Sequence, residues 1–139
     1  MLLRMYTITA IVLALKMAAL AVVQGRARLN AGAFTNPEDA KAFGAKLASS
    51  EPPLVERASK AWRNDLENIP IFLILAWIYV YAGLAAGAFI VYCVLFMLGR
   101  ITHTLCYLNA IQPGRTIAFA VGALTMLALM IHLFIAVVV

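Results

Sequence analysis

Four runs of this sequence are apolar enough and long enough to cross a bilayer, at about 5–25, 69–86, 88–109 and 117–138. A hydrocarbon core about 30 Å thick asks for roughly 20 apolar residues of helix. The runs are continuous and rich in Ala and Leu rather than alternating. They therefore predict helices, which satisfy their own backbone in lipid, and not strands. Composition agrees: 65% of residues are apolar, 12% are charged, and the mean hydropathy is +0.95. That lies well outside the range of soluble globular domains. The 139 residues are one domain's worth, so the prediction is an all-α integral membrane four-helix bundle subunit spanning 1–139. The first run is too long for a signal peptide, is interrupted by Lys16, and has no small-residue cleavage pattern before Gln24-Gly25.

Basic residues orient the bundle. Arg26, Arg28, Lys41, Lys46, Arg57, Lys60 and Arg63 lie between the first two runs. Arg100 and Arg115 flank the second connecting loop, whereas Arg4 alone marks the opposite side. The positive-inside rule then places the 26–68 and 109–116 loops in the cytoplasm and both termini across the membrane. The net charge of +5 reflects orientation and contact with membrane lipid. It is no nucleic-acid footprint, because Glu38, Asp39, Glu51, Glu56, Asp65 and Glu67, all the acids, share the same first loop. Cys93 and Cys106, thirteen residues apart in one predicted helix, are separated by about 20 Å at 1.5 Å per residue. They cannot form a disulfide with each other and read as small lipid- or core-facing hydrophobes.

Between the first two runs, Gly32 is expected to end the first helix. "NPEDA" reads as a helix start, with Asn36 as N-cap and Pro37 first, continuing to about Lys46. "ASSEPP" breaks that helix, and a long one begins near Pro53 and passes through "WRNDLEN" (62–68) into the membrane, with a kink expected at Pro70. "GLAAG" is the far-side turn, and Pro113 opens the last helix.

Polar residues recur where such a chain can least accommodate them. Glu56, Lys60, Arg63 and Glu67 form a stripe spaced four, three and four, flanked by Asn64. Arg100, His103 and Tyr107 share one face of the third run, and Arg115 and Thr116 open the fourth. All fall at the same end and can build one polar pocket. A charge deep in a bilayer costs about 2.5–3.5 kcal/mol, so these groups must meet each other or a ligand. The plain alternative is a structural lock, Arg63 with Glu67 and Arg100 with a carboxylate. The functional alternative is a net basic site for a ligand with carboxylates, with Glu67 for an ammonium group. Lys16, alone in mid-span, is expected to face a subunit interface or a cavity. His132 reads as an interfacial residue at the outer end. No His, Cys and carboxylate spacing matches a metal site, and no nucleophile elbow is present.

"VERASKAWRNDLENIPIF" (55–72), together with "FTNPEDA" (34–40), "GRITHTLCYL" (99–108) and "PGRT" (113–116), resembles the MAPEG family, membrane-associated proteins in eicosanoid and glutathione metabolism. The resemblance runs from about Lys16 to Phe119 and is nearest the microsomal prostaglandin E synthase and glutathione transferase branch. It implies a homotrimer of four-helix subunits with glutathione bound between neighbours. By motif position it implies that Arg28, Arg63, Asn64, Glu67, His103, Tyr107 and Arg115 contact glutathione. Thr116 falls where that branch has a serine proposed to assist the thiol, and Asp39 matches an acid also proposed there. Its role as an acid in the first turn of a helix is the structural alternative. Trp62 and Lys60 stand where a histidine and an arginine occur in the branch, and Phe119 replaces a tyrosine.

An ordinary thiol, with a pKa of about 8.5, is only a few per cent thiolate at neutral pH. Lowering that value by two units requires about 2.7 kcal/mol, and Arg115 and Thr116 are the expected source. The implied activity is that of a glutathione-dependent membrane transferase acting on lipophilic electrophiles or lipid peroxides, in detoxification. A prostaglandin-synthase-like isomerase, a non-catalytic lipid-binding scaffold and an ion channel are the rival readings.

Overall fold

The computed structural model describes all residues, 1–139. Its long helices are α1 (Leu2–Ala31), α3 (Pro53–Tyr81), α4 (Ala86–Leu108) and α5 (Gln112–Val137), and a short α2 (Pro37–Ala42) lies in the first connection. The four long helices pack as a bundle with their connections at the two ends, α1 against α3 and α4 against α5, with α3 also on α4.

Three of these helices, α1, α4 and α5, have the length and apolar character to cross a membrane. The other, α3, is charged through its first half and free of charge from Ile69 to Tyr81. It ends five residues before the expected limit at 86, because Ala82–Ala85 form the turn, with Gly83 at φ 64°. Pro70 lies on the exposed side and does not end the helix.

Gly32 terminates α1 as expected, in the left-handed conformation at φ 57°, a geometry glycine adopts without a Cβ penalty. The connection then does something the sequence did not announce. Residues Ala33–Phe34 (β1) and Lys46–Leu47 (β2) pair in parallel, with Ala33 opposite Lys46. Strands of two residues are too short for alternation to register. The α2 helix stops at Ala42 rather than about Lys46, and Gly44 at φ 58° turns the chain back into that pairing. Asn36 sits at the N-cap, but its side-chain amide donates to Asp39 Oδ2 (3.0 Å) instead of capping the backbone. At the same end of the bundle the α4–α5 turn uses Ala110 at φ 59°, and α5 begins one residue before Pro113.

The core runs through the middle of the bundle, from Leu13 on α1 to Phe72 and Tyr79 on α3, Phe89, Cys93 and Phe96 on α4, and Leu129 on α5. Phe72 and Phe96 stack at 3.8 Å, nearly parallel. Three glycines set the α4–α5 spacing. A Cβ on Gly99 would stand 3.2 Å from both Ala118 O and Gly122 N, so the two backbones touch there. This is how small residues let apolar helices approach when lipid offers no hydrophobic drive between them. The outer faces of α1 and α5 remain apolar and exposed, with Leu15 at 65% and Ile117 at 65%.

Candidate functional site

On α3 the buried positions are Val55, Ala58, Ala61, Asp65, Ile69, Phe72, Ala76 and Tyr79. That spacing of three and four is one helical face, and Asp65 falls in its middle, fully buried. Its Oδ2 is paired with Lys16 Nζ of α1. Lys16 therefore does not face a subunit interface or an open cavity, as expected, but turns inward to its own subunit's α3. The reason is simple. A carboxylate in the core stripe must have a cation, and Lys16 is the one basic residue of α1 at that depth.

Beside this pair, Arg100 of α4 is fully buried and donates from Nη1 to Asn64 Oδ1 at 2.6 Å. Arginine only donates, so the Asn64 amide presents its oxygen to Arg100 and keeps its NH₂ for another acceptor. The guanidinium lies 5.6 Å from the rings of Phe96 and Phe119. A Cβ on Gly122 would come within 2.9 Å of Arg100 Nη2, so that position of α5 must stay bare for the arginine to lie flat. Arg100 Nε and Nη2, Asp65 Oδ1, His103 Nδ1 and Thr104 Oγ1 are buried without a hydrogen-bond partner inside the subunit. Buried polar atoms rarely stay unpaired, and this cluster of them marks where the fold has polar capacity to spare.

One turn nearer the end of the bundle, His103 and Tyr107 meet edge to face at 5.5 Å, and the Arg115 guanidinium stacks on Tyr107 at 4.5 Å. Tyr107 and Leu108 also pack on Leu20 of α1 and on Ala58 and Ala61 of α3, which brings all these elements to one place. Lys60, outside the apolar segments, lies within electrostatic reach of Tyr107 and Arg115. Its ammonium donates to Glu56 at 2.6 Å, a contact that lowers the Glu56 carboxyl and raises Lys60 from their ordinary values.

The expected stripe on α3 thus divides. Asn64 turns into the bundle, whereas Arg63 and Glu67 lie on the exposed side and do not pair with each other. Thr116 and Phe119 are also exposed, and Arg115 is half-buried. Arg28 is held apart from these groups. It donates from Nε and Nη2 to Glu51, with a shortest contact of 2.7 Å, and Thr35 Oγ1 donates to the same carboxylate. Asp39, half-buried, stays in the first turn of α2. No group of His, Cys and carboxylates able to hold a metal ion is present.

Sequence reading gave Asp65 a structural place on another face of the helix without naming its partner, and it missed Glu51. For Asp65 the signal was available: reading the apolar stripe first places an acid inside it. For Glu51 none existed, because its contact depends on the fold of the 32–52 connection.

An apolar four-helix subunit whose charged and aromatic side chains gather at one end is an integral membrane protein with a built polar site. The chain belongs to the MAPEG family, whose profile matches residues 6–135. Over 113 residues it is 38% identical to prostaglandin E synthase of Bos taurus, covering 81% of this chain and 74% of that protein. It is 35% identical over the same length and shares to prostaglandin E synthase of Homo sapiens. Microsomal glutathione S-transferase 1 of Bos taurus is 40% identical over 100 residues, covering 68% of this chain and 64% of that one.

Proposed function

We propose that this protein is a glutathione-dependent membrane transferase that works as a homotrimer and activates the glutathione thiol against lipophilic electrophiles or lipid peroxides. One observation carries the reading. At the end of the bundle where ion pairs neutralise Arg28 and Lys60, the charges of Arg63, Glu67 and Arg115 have no ionic partner in the subunit. Arg63 and Glu67 face outward, where a neighbouring subunit and a shared ligand supply what they lack. A tripeptide with two carboxylates, an ammonium group and amides suits that set. Arg63 and Arg115 take carboxylates, Glu67 takes the ammonium group, and the free NH₂ of Asn64 donates to an amide oxygen. His103 and Tyr107 form the floor, and Arg28 joins when its own partner releases it.

Arg115 and Thr116, the fourth and fifth residues of α5, lie close to the N-terminal end of that helix, whose free amide hydrogens give it a positive potential. A guanidinium, a hydroxyl donor and that potential each favour thiolate over thiol. The thiolate then attacks an electrophile that arrives along the membrane, so the protein needs no cysteine of its own. Cys93 is buried in the core and Cys106 packs against Gly114. The positive-inside pattern puts this end of the bundle in the cytoplasm and both termini across the membrane.

The test is calorimetric titration of detergent-purified protein with glutathione, followed by the ultraviolet absorbance of bound thiolate in wild type, Arg115→Ala and Thr116→Ala. Binding, with thiolate absorbance reduced in at least one variant, and turnover of 1-chloro-2,4-dinitrobenzene or a lipid hydroperoxide are expected. Binding without turnover of any electrophile would mean a lipid-presenting scaffold. The identity to prostaglandin E synthases supports a second reading, a glutathione-dependent isomerase, which isomerisation of a prostaglandin endoperoxide without net glutathione consumption would establish.

A further inference from the structure

Arg28 is the only member of the proposed glutathione set that already holds a carboxylate. Glu51 engages one whole edge of its guanidinium: Nε contacts both carboxylate oxygens at 3.2 and 3.1 Å, and Nη2 contacts Oε1 at 2.7 Å. This two-point fork is how an arginine binds a free carboxylate. Thr35 donates to the same Oε1 at 3.1 Å, fixing the acid from the other side. Arg28 also forms the rim of an open cleft of about 230 Å³, lined with Ala21, Gln24 and Trp62. The cleft lies between α1 and α3, and Trp62 brings it to the start of the stretch that carries Arg63, Asn64 and Glu67.

We propose that Glu51 is a built-in stand-in for a ligand carboxylate, and that a carboxylate of glutathione displaces it from Arg28 on binding. The inference rests on the glutathione reading above and deepens it. Three features make the exchange feasible. The pair is open to solvent on both sides, 31% and 28% exposed, and ion pairs that exposed are worth little net. Glu51 belongs to the connection that follows the two-residue strand pairing, two residues before α3 begins, so it moves without disturbing a long helix. The incoming group is chemically the same as the one it replaces, so Arg28 trades one fork for another. Binding then carries a cost set by the fraction of molecules in which Glu51 has let go. Release of Glu51 also loosens the stretch between the strand pairing and α3, while the backbone bonds of Lys46 to Gly32 and of Ala48 to Phe34 stay in place, which links ligand binding to the order of this connection. Glu51 is therefore a positioning residue acting through Arg28, and it sets affinity without touching the thiol.

Titration of glutathione into wild type and Glu51→Gln, in the full-length protein, tests this. The amide keeps the size and one acceptor but loses the charge, so Kd is expected to fall about two- to threefold. Thr35→Val, which loosens Glu51 without removing it, is expected to shift Kd in the same direction by less. Glutathione diethyl ester, which lacks both carboxylates, is expected to show no difference between wild type and Glu51→Gln. Unchanged or weaker glutathione binding by Glu51→Gln, with wild-type binding intact and an unaltered melting temperature, overturns the exchange and leaves the glutathione reading standing. Equal tightening for the ester also overturns it. Absence of glutathione binding in wild type and variant alike overturns the glutathione reading and the exchange with it.

Discussion

Lys16 and Asp65 meet in the interior where α1 lies against α3, one nine-tenths buried and the other fully so. Each explains the other: neither charge would be tolerated there alone. Asp65→Ala leaves the ammonium group without a counter-charge in an apolar setting, and breaking a buried pair from one side costs about 3–5 kcal/mol. Replacing both, as Lys16→Met with Asp65→Leu, removes the desolvation cost and the attraction together. The double variant is expected to recover most of the loss, which unfolding by sodium dodecyl sulfate in mixed micelles would measure. A double variant as weak as Asp65→Ala would mean that the pair does more than neutralise itself.

The glycines between α4 and α5 are not equivalent. A Cβ at Gly99 would press on the backbone at Ala118 O and Gly122 N, both at 3.2 Å, and backbone cannot step aside singly. At Gly114 the obstacle is Cys106 Sγ at 2.7 Å, the tip of a side chain that can rotate. Alanine regains about 1 kcal/mol of helix propensity at either place, while overpacking a tight contact costs about 1–3 kcal/mol. Gly99→Ala is therefore expected to destabilise the subunit, and Gly114→Ala to remain within about 1 kcal/mol of wild type. The same detergent unfolding curves decide, and the opposite order would refute this account of the contact.

Much of this fold was legible in the sequence because the bilayer imposes it. Length and apolar continuity alone marked the long helices, and Gly32, Pro53 and the GLAAG stretch marked where they start and stop. The polar residues were equally visible, and their helical spacing placed them at one end. What periodicity could not supply was direction. Arg63, Asn64 and Glu67 sit within five residues, yet Asn64 alone turns inward, because α3 rolls to put Asp65 on Lys16. A helix's roll is decided by its neighbours, and the partner of Asp65 lies 49 residues away in sequence. Similarly, Arg28 looked available until the 32–52 connection folded back and brought Glu51 to it.

At the far end of the bundle, Tyr92 and His132 form a hydrogen bond of 3.1 Å between the Tyr hydroxyl and Nδ1, beside the rings of Tyr79 and Phe89. His132 thus packs edge-on against Tyr79 and Tyr92. Tyr92→Phe keeps the ring stack and removes only the hydroxyl, so a loss of about 0.5–1.5 kcal/mol is expected. Glutathione affinity should not change, because this cluster lies at the opposite end from the site. A change in affinity measured by calorimetry would show that the two ends are coupled.

The Arg28–Glu51 clasp also makes a prediction in acid. Arg28, chiefly by its hydrogen bonds, holds the Glu51 carboxyl below its ordinary value of 4.5, and the same contact raises Arg28 above its ordinary value. A depressed carboxyl contributes stability that is present above its unfolded value and lost as pH falls through its folded value. A raised arginine contributes below its unfolded value, so it changes nothing until strongly alkaline pH. The clasp is therefore constant from about pH 5 upward and opens only in acid. Both groups are partly solvated, so its worth is small, on the order of 0.5 kcal/mol. Hydrogen exchange of residues 44–50 reads it locally, and comparison with Glu51→Gln cancels the intrinsic pH dependence of exchange. The wild-type protection relative to the variant is expected to be flat above pH 5 and to fall toward unity below 4.5. Relative protection that stays constant down to pH 2, or that is unity throughout, would show that Glu51 does not hold this connection through Arg28.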